Sequence, residues 1–464
     1  MFFDDLALAI KQAIASEKIK KQMPKTAKYL IKTLQEAGHT ASIVGGCVRD
    51  TILGKTPKDW DICTSATPEE MKEIFKGEKI IETGLKHGTL TVMVDGEPYE
   101  ITTYRIDGEY SDNRRPDSVT FTDNLTEDLR RRDFTINAIA FNEIDGLSDP
   151  FNGIADIEAG IIRCVGSPKE RFEEDSLRIL RAIRFASRFG FEIEPLTAEE
   201  IHKQYELKNV SVERITSEFR QIAISPSFPY FLSSYSSVFS FIIPELNSFF
   251  NFPQNNPHHS YDVFHHTLHA LENCNSIDLT VRLAIFFHDF GKPSCFQDDE
   301  DGTRHFRGHG EVSAEITDSI MKRLRFENKI REDVVQLVRY HDTTFEVSKK
   351  CVKRWLNKIG ETQFRRLLLI READVRGQSP NPAPERIQKI RNVEKVLEEV
   401  LEEKECFSMN ALTINGRDLI EMGMKEGKEI GIILNSLLEK VMEGEVENEK
   451  EKLMEEIRKE KENG

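Results

Sequence analysis

The chain has 464 residues and a formal charge of −16, from 64 Lys and Arg against 80 Asp and Glu. That length exceeds the roughly 250–300 residues at which single cores stop growing, so two to four domains are expected; the acidic total excludes a uniformly basic nucleic-acid binder but leaves local basic stripes open. The seven cysteines, at 47, 63, 164, 274, 295, 351 and 406, form no CxxC pair, which argues against a zinc or disulfide framework, and with no signal-peptide pattern and no apolar run near the ~20 residues that span a bilayer, a soluble cytoplasmic protein without a membrane partner is expected.

Residues 1–40 are predicted helical, with Leu30, Ile31 and Leu34 at helical spacing and Gly38 as the stop. An apolar strand from Ile43 then ends in Gly45 and Gly46, Arg49 and Asp50 follow, and a second strand is predicted to carry Asp59 and Asp61. Residues two apart on a strand share a face, so these carboxylates would repel each other without a cation between them; Mg²⁺ held by one or two carboxylates plus substrate phosphates meets that need. The two glycines let backbone amides approach phosphate oxygens, and Arg49 can neutralise a triphosphate. Next, "TSATPEEMKEIF" reads as a capped helix, and "GTLTVMVDGEPYEITTY" as a hairpin turning at Asp95-Gly96. Glu100 on the returning strand is a third metal ligand or a base for the attacking hydroxyl, or else an ordinary strand glutamate facing water. The polar, basic stretch from Arg105 to Phe121 is long enough to be a functional loop, with a surface insertion as the alternative.

In "EDLRRRDFTINAIAF" the Arg132 fork suits phosphate, while Asp133 and Asn137, four apart on an expected helix, share a face that can reach a ribose hydroxyl. "DPFNGIADIEAGIIRCVG" is expected to form a small hairpin closing the domain. "PKERFEEDSLRILRAIRFASRFGF" reads as one amphipathic helix whose Asp175, Arg178, Arg181 and Arg184 wind as a polar ridge; the plainer reading pairs them along a solvent face. Beyond an aromatic helical region at 228–252, His and Asp residues gather in "HHSYDVFHHTLHAL", "RLAIFFHDFGKP", "FRGHGEVSAEI", "VVQLVRYHD" and "LLLIREADVRGQ". Adjacent His288 and Asp289 at a helix end, flanked by others on separate helices, can hold one or two divalent metals.

The order "VGGCVRD", "KDWDI", "EITTYR", "RRDFTINA" and "EDSLR" resembles the class II CCA-adding enzymes and bacterial poly(A) polymerases, a branch of the polymerase-beta-like nucleotidyltransferases. The His/Asp spacing resembles the HD phosphohydrolases, and the tail from 381 resembles that of bacterial CCA-adding enzymes. The resemblance implies an α+β fold: a nucleotidyltransferase head with a mixed sheet (27–160), an all-α neck that reads the base and binds RNA (161–235), an HD body (250–380) and a helical tRNA-binding tail (381–464). It implies a CTP(ATP):tRNA nucleotidyltransferase that builds the 3′ CCA end without a template, with Mg²⁺, tRNA, CTP and ATP, and a loop at 105–121 needed for the final adenosine. Asp59, Asp61 and Glu100 would be catalytic. Gly45, Gly46, Arg49, Arg132, Asp133, Asn137, Asp175, Arg178, Arg181 and Arg184 would contact nucleotide, Asp175 accepting from the exocyclic amine and Arg178 donating to ring acceptors. His266, His288, Asp289, His309, His341 and Asp374 would hold Mn²⁺, Ni²⁺, Fe²⁺ or Mg²⁺ in the HD body, either as a phosphohydrolase centre or as a scaffold. The alternatives are a poly(A) polymerase, an A-adding tRNA nucleotidyltransferase, or an HD phosphohydrolase with a regulatory RNA-binding module. Oligomeric state is not legible from the sequence.

Overall fold

A computed structural model describes residues 2–108, 118–257, 259–381, 383–403 and 405–463. It divides into two units, Met1–Pro244 and Glu245–Gly464. Most of the loop expected at 105–121 lies outside the described residues.

The first unit opens with helices α1 (Phe2–Gln22) and α2 (Lys25–Glu36). Ala27, Leu30, Ile31 and Leu34 are the buried stripe of α2, the i, i+3, i+4, i+7 pattern of a helix laid on a core, and it packs on strand β1 (Ala41–Val44). Helix α3 (Gly46–Ile52) leads to β2 (Ile62–Thr64), α4 (Pro68–Ile74), and the strands β3 (Lys79–Gly84), β4 (Thr89–Val94) and β5 (Glu97–Thr103). Thr67 and Glu70 close a capping box on α4, as the sequence predicts. The short pair β6 (Arg105–Asp107) and β7 (Val119–Phe121) precedes α5 (Leu125–Arg130), β8 (Ala140–Asn142) and β9 (Gly146–Ser148). The sheet is mixed, in the order β3-β4-β5-β2-β1-β8-β9, and its one parallel pair, β2 with β5, sets Ile62 opposite Ile101.

Three sequence expectations change here. The closing hairpin is β8–β9, turning at 143–145, whereas 149–166 forms helix α6 (Gly153–Ala159) and strand β10 (Ile161–Ile162). Asp149 accepts from the amides of Gly153 and Ile154, giving that helix its start. Asp133 and Asn137 do not share an α-helix; α5 stops at Arg130 and a 3₁₀ turn spans Thr135–Asn137. The long amphipathic helix is broken at Asp175 and Ser176 into α7 (Pro168–Glu174) and α8 (Leu177–Phe189), with Asp175 in extended backbone. Strand β11 (Glu192–Ile193) returns parallel to β10, and helices α9 (Pro195–Lys203), α10 (Val212–Ala223), α11 (Phe228–Ser234) and α12 (Ser236–Ile242) complete the unit.

The second unit is helical apart from the small hairpin β12–β13. Its elements are α13 (Val263–Glu272), α14 (Leu279–Phe287), α15 (Lys292–Cys295), β12 (Gln297–Asp298), β13 (Arg304–His305), α16 (His309–Arg323), α17 (Asn328–Tyr340), α18 (Lys349–Gly377), α19 (Pro384–Glu402), α20 (Gly416–Glu421), α21 (Lys428–Glu443) and α22 (Lys450–Asn463). Two glycines permit unusually close approaches. A Cβ on Gly377 would stand 2.6 Å from the Ala270 nitrogen, and one on Gly291 2.6 Å from the His309 carbonyl oxygen. The last three helices bury a small core of their own, with Leu419, Leu437, Leu438, Leu453 and Ile457. Among the described residues no helix is long and apolar enough to cross a membrane.

Candidate active site and candidate metal centre

In the first unit, one end of the sheet gathers the carboxylates. Asp59 and Asp61 sit in the extended lead-in to β2, not on the strand itself as expected. The Asp61 carbonyl still accepts from the Val44 amide at 3.0 Å, so the lead-in is held against β1. Parallel pairing of Ile62 with Ile101 sets the preceding residues, Asp61 and Glu100, side by side at that same end. Burial, then the charges of Asp59 and Glu100, push the Asp61 carboxyl up to about 6, against the pull of Arg132. A buried Asp61 repelled by two neighbouring acids at the end of a sheet fits a divalent cation, which would relieve that cost.

Gly45, at φ +80, turns the chain from β1 into α3. A Cβ there would come 2.8 Å from Nη1 of Arg132, so the glycine is what lets that guanidinium lie over the turn. The Gly45 amide, expected to cradle phosphate, instead donates to the Ile139 carbonyl. Arg49 also departs from expectation. It is buried, donates through Nε to Asp50 at 2.8 Å and through Nη1 to the side-chain Oδ1 of Asn137, and lies under Phe185 and Phe189 at 4.9 and 5.0 Å. Its guanidinium braces the glycine turn against the rest of the unit.

Asn137 continues this network, donating to Asp133 at 2.9 Å, and Asp133 takes Arg181 Nε at 2.8 Å. Burial alone would raise the Asp133 carboxyl, but Arg181, Asn137 and Arg178 outweigh it and hold it well below the usual carboxylate range. Thus α3, the 135–137 turn and α8 share one chain of polar contacts. The expected ridge is only partly a ridge. Arg178 is paired with Glu174 at 2.5 Å and donates to the Arg171 and Arg131 carbonyls. Arg184 is turned inward, buried against Glu218 of α10 at 2.5 Å, which corrects its reading as an exposed contact. Asp175 is held by Arg214 at 2.7 Å. The sequence assigns no functional role to Arg214, Glu174 or Asp128; the buried Asp128 carboxylate anchors Arg131 at 2.8 Å and lies 3.6 Å from Arg132. For Arg178, Arg131 and Arg132 an acid three or four residues earlier was the available signal, whereas Arg214 meets Asp175 across 39 residues and left none.

In the second unit all six expected groups converge and are buried. His266 comes from α13, His288 and Asp289 from the end of α14, His309 from the start of α16, His341 from the end of α17 and Asp374 from α18. His266 Nε2 lies 3.0 Å from His288 Nε2, and His309 Nε2 3.0 Å from His341 Nε2. Asp289 stands between the pairs, Oδ2 at 3.1 Å from His288 and 3.3 Å from His266, Oδ1 at 3.4 Å from His309. Asp374 Oδ1 reaches His266 at 3.2 Å. His288, His309 and His341 each donate Nδ1–H to a carbonyl three residues back, at 2.6, 2.7 and 2.7 Å. Their Nε2 lone pairs are thereby aimed at one another. Although Lys292 is within ion-pair distance of Asp289, at 2.7 Å, neither buried oxygen of that carboxylate accepts a well-directed hydrogen bond. Facing lone pairs and unsatisfied buried oxygens fit divalent ions held by imidazole and carboxylate. A cavity of about 240 Å³ opens over the cluster, lined in part by His259, Lys292, Arg307 and Gln378, none of which the sequence singled out.

Residues 41–163 match the family model of the Poly A polymerase head domain, and residues 308–457 that of tRNA nucleotidyltransferase domain 2. The CCA-adding enzymes of Lactobacillus johnsonii and Lactobacillus helveticus are 51% and 52% identical over 198 residues, 42% of this chain and 49% of theirs. The matched part therefore spans about half the length of these curated relatives. The CCA-adding enzyme of Bacillus stearothermophilus, solved in complex with CTP, is 28% identical with a TM-score of 0.65, over 94% of this chain and 98% of that one. The Thermotoga maritima CCA-adding enzyme, solved with tRNA, shares the fold at 20% identity and a TM-score of 0.62, over 96% of this chain and 98% of that one.

Proposed function

Because the chain belongs to the family of class II CCA-adding enzymes, we propose that it is a CTP(ATP):tRNA nucleotidyltransferase that adds and repairs the 3′ CCA end without a nucleic-acid template. The observation that carries the reading is the cluster of Asp59, Asp61 and Glu100 at one end of the sheet, with Arg132 over the glycine turn beside it. Family membership implies dependence on a divalent metal; we assign Mg²⁺, held by Asp59 and Asp61 with Glu100. When bound, the cation neutralises triphosphate charge and favours ionisation of the attacking hydroxyl. Arg132 is the phosphate contact, while Asp133 and Asn137 fix the ribose side and α8 presents Arg178 beside Asp175 for the base edge. In the absence of a template, base identity rests on these donors and acceptors, which match the amino group and ring acceptor common to cytosine and adenine.

The neck is assigned to 161–235, the tail at 381–464 to tRNA, and the cytoplasm as the compartment. The test is incorporation of labelled CTP and ATP into tRNA lacking its CCA end. Wild-type protein should add C, C and A in order, and Asp59→Ala or Asp61→Ala should abolish addition while tRNA binding stays near normal. Addition of A alone would replace the reading with an A-adding enzyme or poly(A) polymerase, and near-normal addition by either variant would remove the assignment of the site.

A second reading concerns the other unit, and the facing Nε2 atoms around Asp289 support it. The six residues form a divalent-metal centre of the HD type, with phosphoester hydrolysis as its activity. Hydrolysis of bis-p-nitrophenyl phosphate that survives Asp61→Ala and is lost in His288→Ala is the expected result; no hydrolysis with Mn²⁺, Ni²⁺, Fe²⁺ or Mg²⁺ would leave the cluster as a scaffold.

A further inference from the structure

Behind the metal cluster, the 343–345 segment, α18 and α19 enclose a second cavity of about 150 Å³. Its floor is apolar, made by Phe345, Val375, Ile390 and Val393, all buried. Its charged lining is entirely cationic, Arg371, Arg386 and Lys389, with Thr343 and Thr344 as neutral polar neighbours. Arg371 is itself buried and is fixed by two bonds from a single nitrogen, Nη1 to the His341 carbonyl at 2.7 Å and to Asp374 Oδ2 at 2.9 Å. Its Nε and Nη2 make no hydrogen bond among the described residues, so the parallel pair of donors that suits a carboxylate or phosphate is held in place and unused. Arg386 is likewise engaged only through Nη1, on the neutral Gln378 at 2.6 Å, and Lys389 makes no ion pair among the described residues. The acid nearest to compensate this charge, besides Asp374, is the exposed Asp342, 3.6 Å from Arg371.

Three cations with no carboxylate in the lining, beside an apolar floor, carry an excess of positive charge that water alone does not neutralise. At ~30 Å³ per water the space holds about five waters, the room needed by one ring or a short acyl chain with its acid group outward. We propose that this cavity binds a small amphiphilic acid, a carboxylate or phosphate monoester on an aromatic or short aliphatic body, with Arg371, Arg386 and Lys389 on the acid and Phe345, Val375 and Val393 against the body. The site adjoins the histidine cluster through the Arg371–Asp374 bond, but its lining includes none of the six converging residues, and binding there requires neither activity. Because Asp374 and the His341 carbonyl already fix Arg371, little ordering is required when the acid arrives.

Isothermal titration of the full chain, stripped of metal, with phenylphosphonate, benzoate and inorganic phosphate tests this. One or both organic acids should bind at one site at least tenfold more tightly than phosphate. The double variant Arg386→Ala with Lys389→Ala should weaken that binding at least tenfold, as should Val393→Trp, which fills the floor; circular dichroism checks their fold. His309→Ala, on the metal side, should leave it unchanged. Organic acids no tighter than phosphate, equal binding by the double variant, or loss in His309→Ala would each overturn the proposal, the last by placing the acid at the metal cluster.

Discussion

Asp61→Asn, in protein freed of divalent ions, isolates the self-repulsion of the head site from catalysis. The Asp61 carboxyl stands at about 6 against an ordinary value of 3.8. At about 1.4 kcal/mol per pH unit, ionising it in the folded protein costs about 3 kcal/mol. A folded value above the unfolded one means that, between pH 3.8 and about 6, the folded chain holds the extra proton. Stability therefore falls as pH rises through that window, and the loss is complete above it. The asparagine variant carries no such loss. Below pH 4 the two proteins should melt alike; at pH 7 or above the variant should melt higher by about 6–12 °C, taking about 2–4 °C per kcal/mol for a unit of this size. Scanning calorimetry in chelator across pH 4–8 measures the gap. Added Mg²⁺ should close it by raising the wild-type melting point alone, since only that protein keeps the full acid set. A gap that does not change with pH, or one of opposite sign, would refute the picture of three acids held together against their charge.

Asp133→Asn should destabilise the first unit by about 1.5–3 kcal/mol, because half-buried Arg181 loses its charge-assisted bond to the buried carboxylate; wild-type protein should show this contribution in full above the ordinary carboxylate range and lose it only as pH falls through the depressed folded value, read from acid unfolding curves of both proteins. Gly45→Ala should cost about 1–3 kcal/mol through its positive φ and displace Arg132, so a raised KM for CTP in steady-state addition is expected alongside a lowered melting temperature. Arg178→Ala should relax discrimination against UTP and GTP, each lost charge-assisted bond being about 1.5–3 kcal/mol, measured by addition of each nucleotide to tRNA ending in CC; Arg214→Ala, which releases Asp175, should impair the same discrimination if the pair acts as one unit. His288→Ala should abolish retained Mn²⁺ in equilibrium dialysis while CCA synthesis continues; a joint loss in a folded variant would contradict two separate centres.

Chemistry was more legible in the sequence than local geometry. Asp59, Asp61 and Glu100 could be named from motif order, but their meeting depends on parallel pairing of Ile62 with Ile101 across 39 residues, which no local pattern states. The break at Asp175 and Ser176 was hidden because the apolar spacing continues through it; the Arg214 ion pair and the Ser176 hydroxyl bond to the Lys208 carbonyl accompany the break and override a helical periodicity that the short-range sequence favours. Arg49 shows the opposite failure. Its place after two glycines reads as a phosphate contact, whereas burial beneath Phe185 and Phe189 was decided by residues more than 130 positions away. The histidine cluster was legible because adjacent His288 and Asp289 are rare at a helix end and further His and Asp residues recur on separate helices. Arg371 and Lys292 passed unremarked, although each lies three residues from an aspartate of that cluster.

The glycines at 291 and 377 give the second centre an evolutionary fragility. Neither is among the six converging residues, yet one added methyl at Gly377 would force α18 away from α13, and one at Gly291 would press on the backbone that presents His309. Every histidine and aspartate of the cluster would still be legible in such a descendant, so its sequence would advertise a centre that its backbone can no longer close. Among chains of this kind, the survival of the buried histidine–aspartate cluster is better traced by two hydrogen atoms in place of side chains than by the residues that draw the eye.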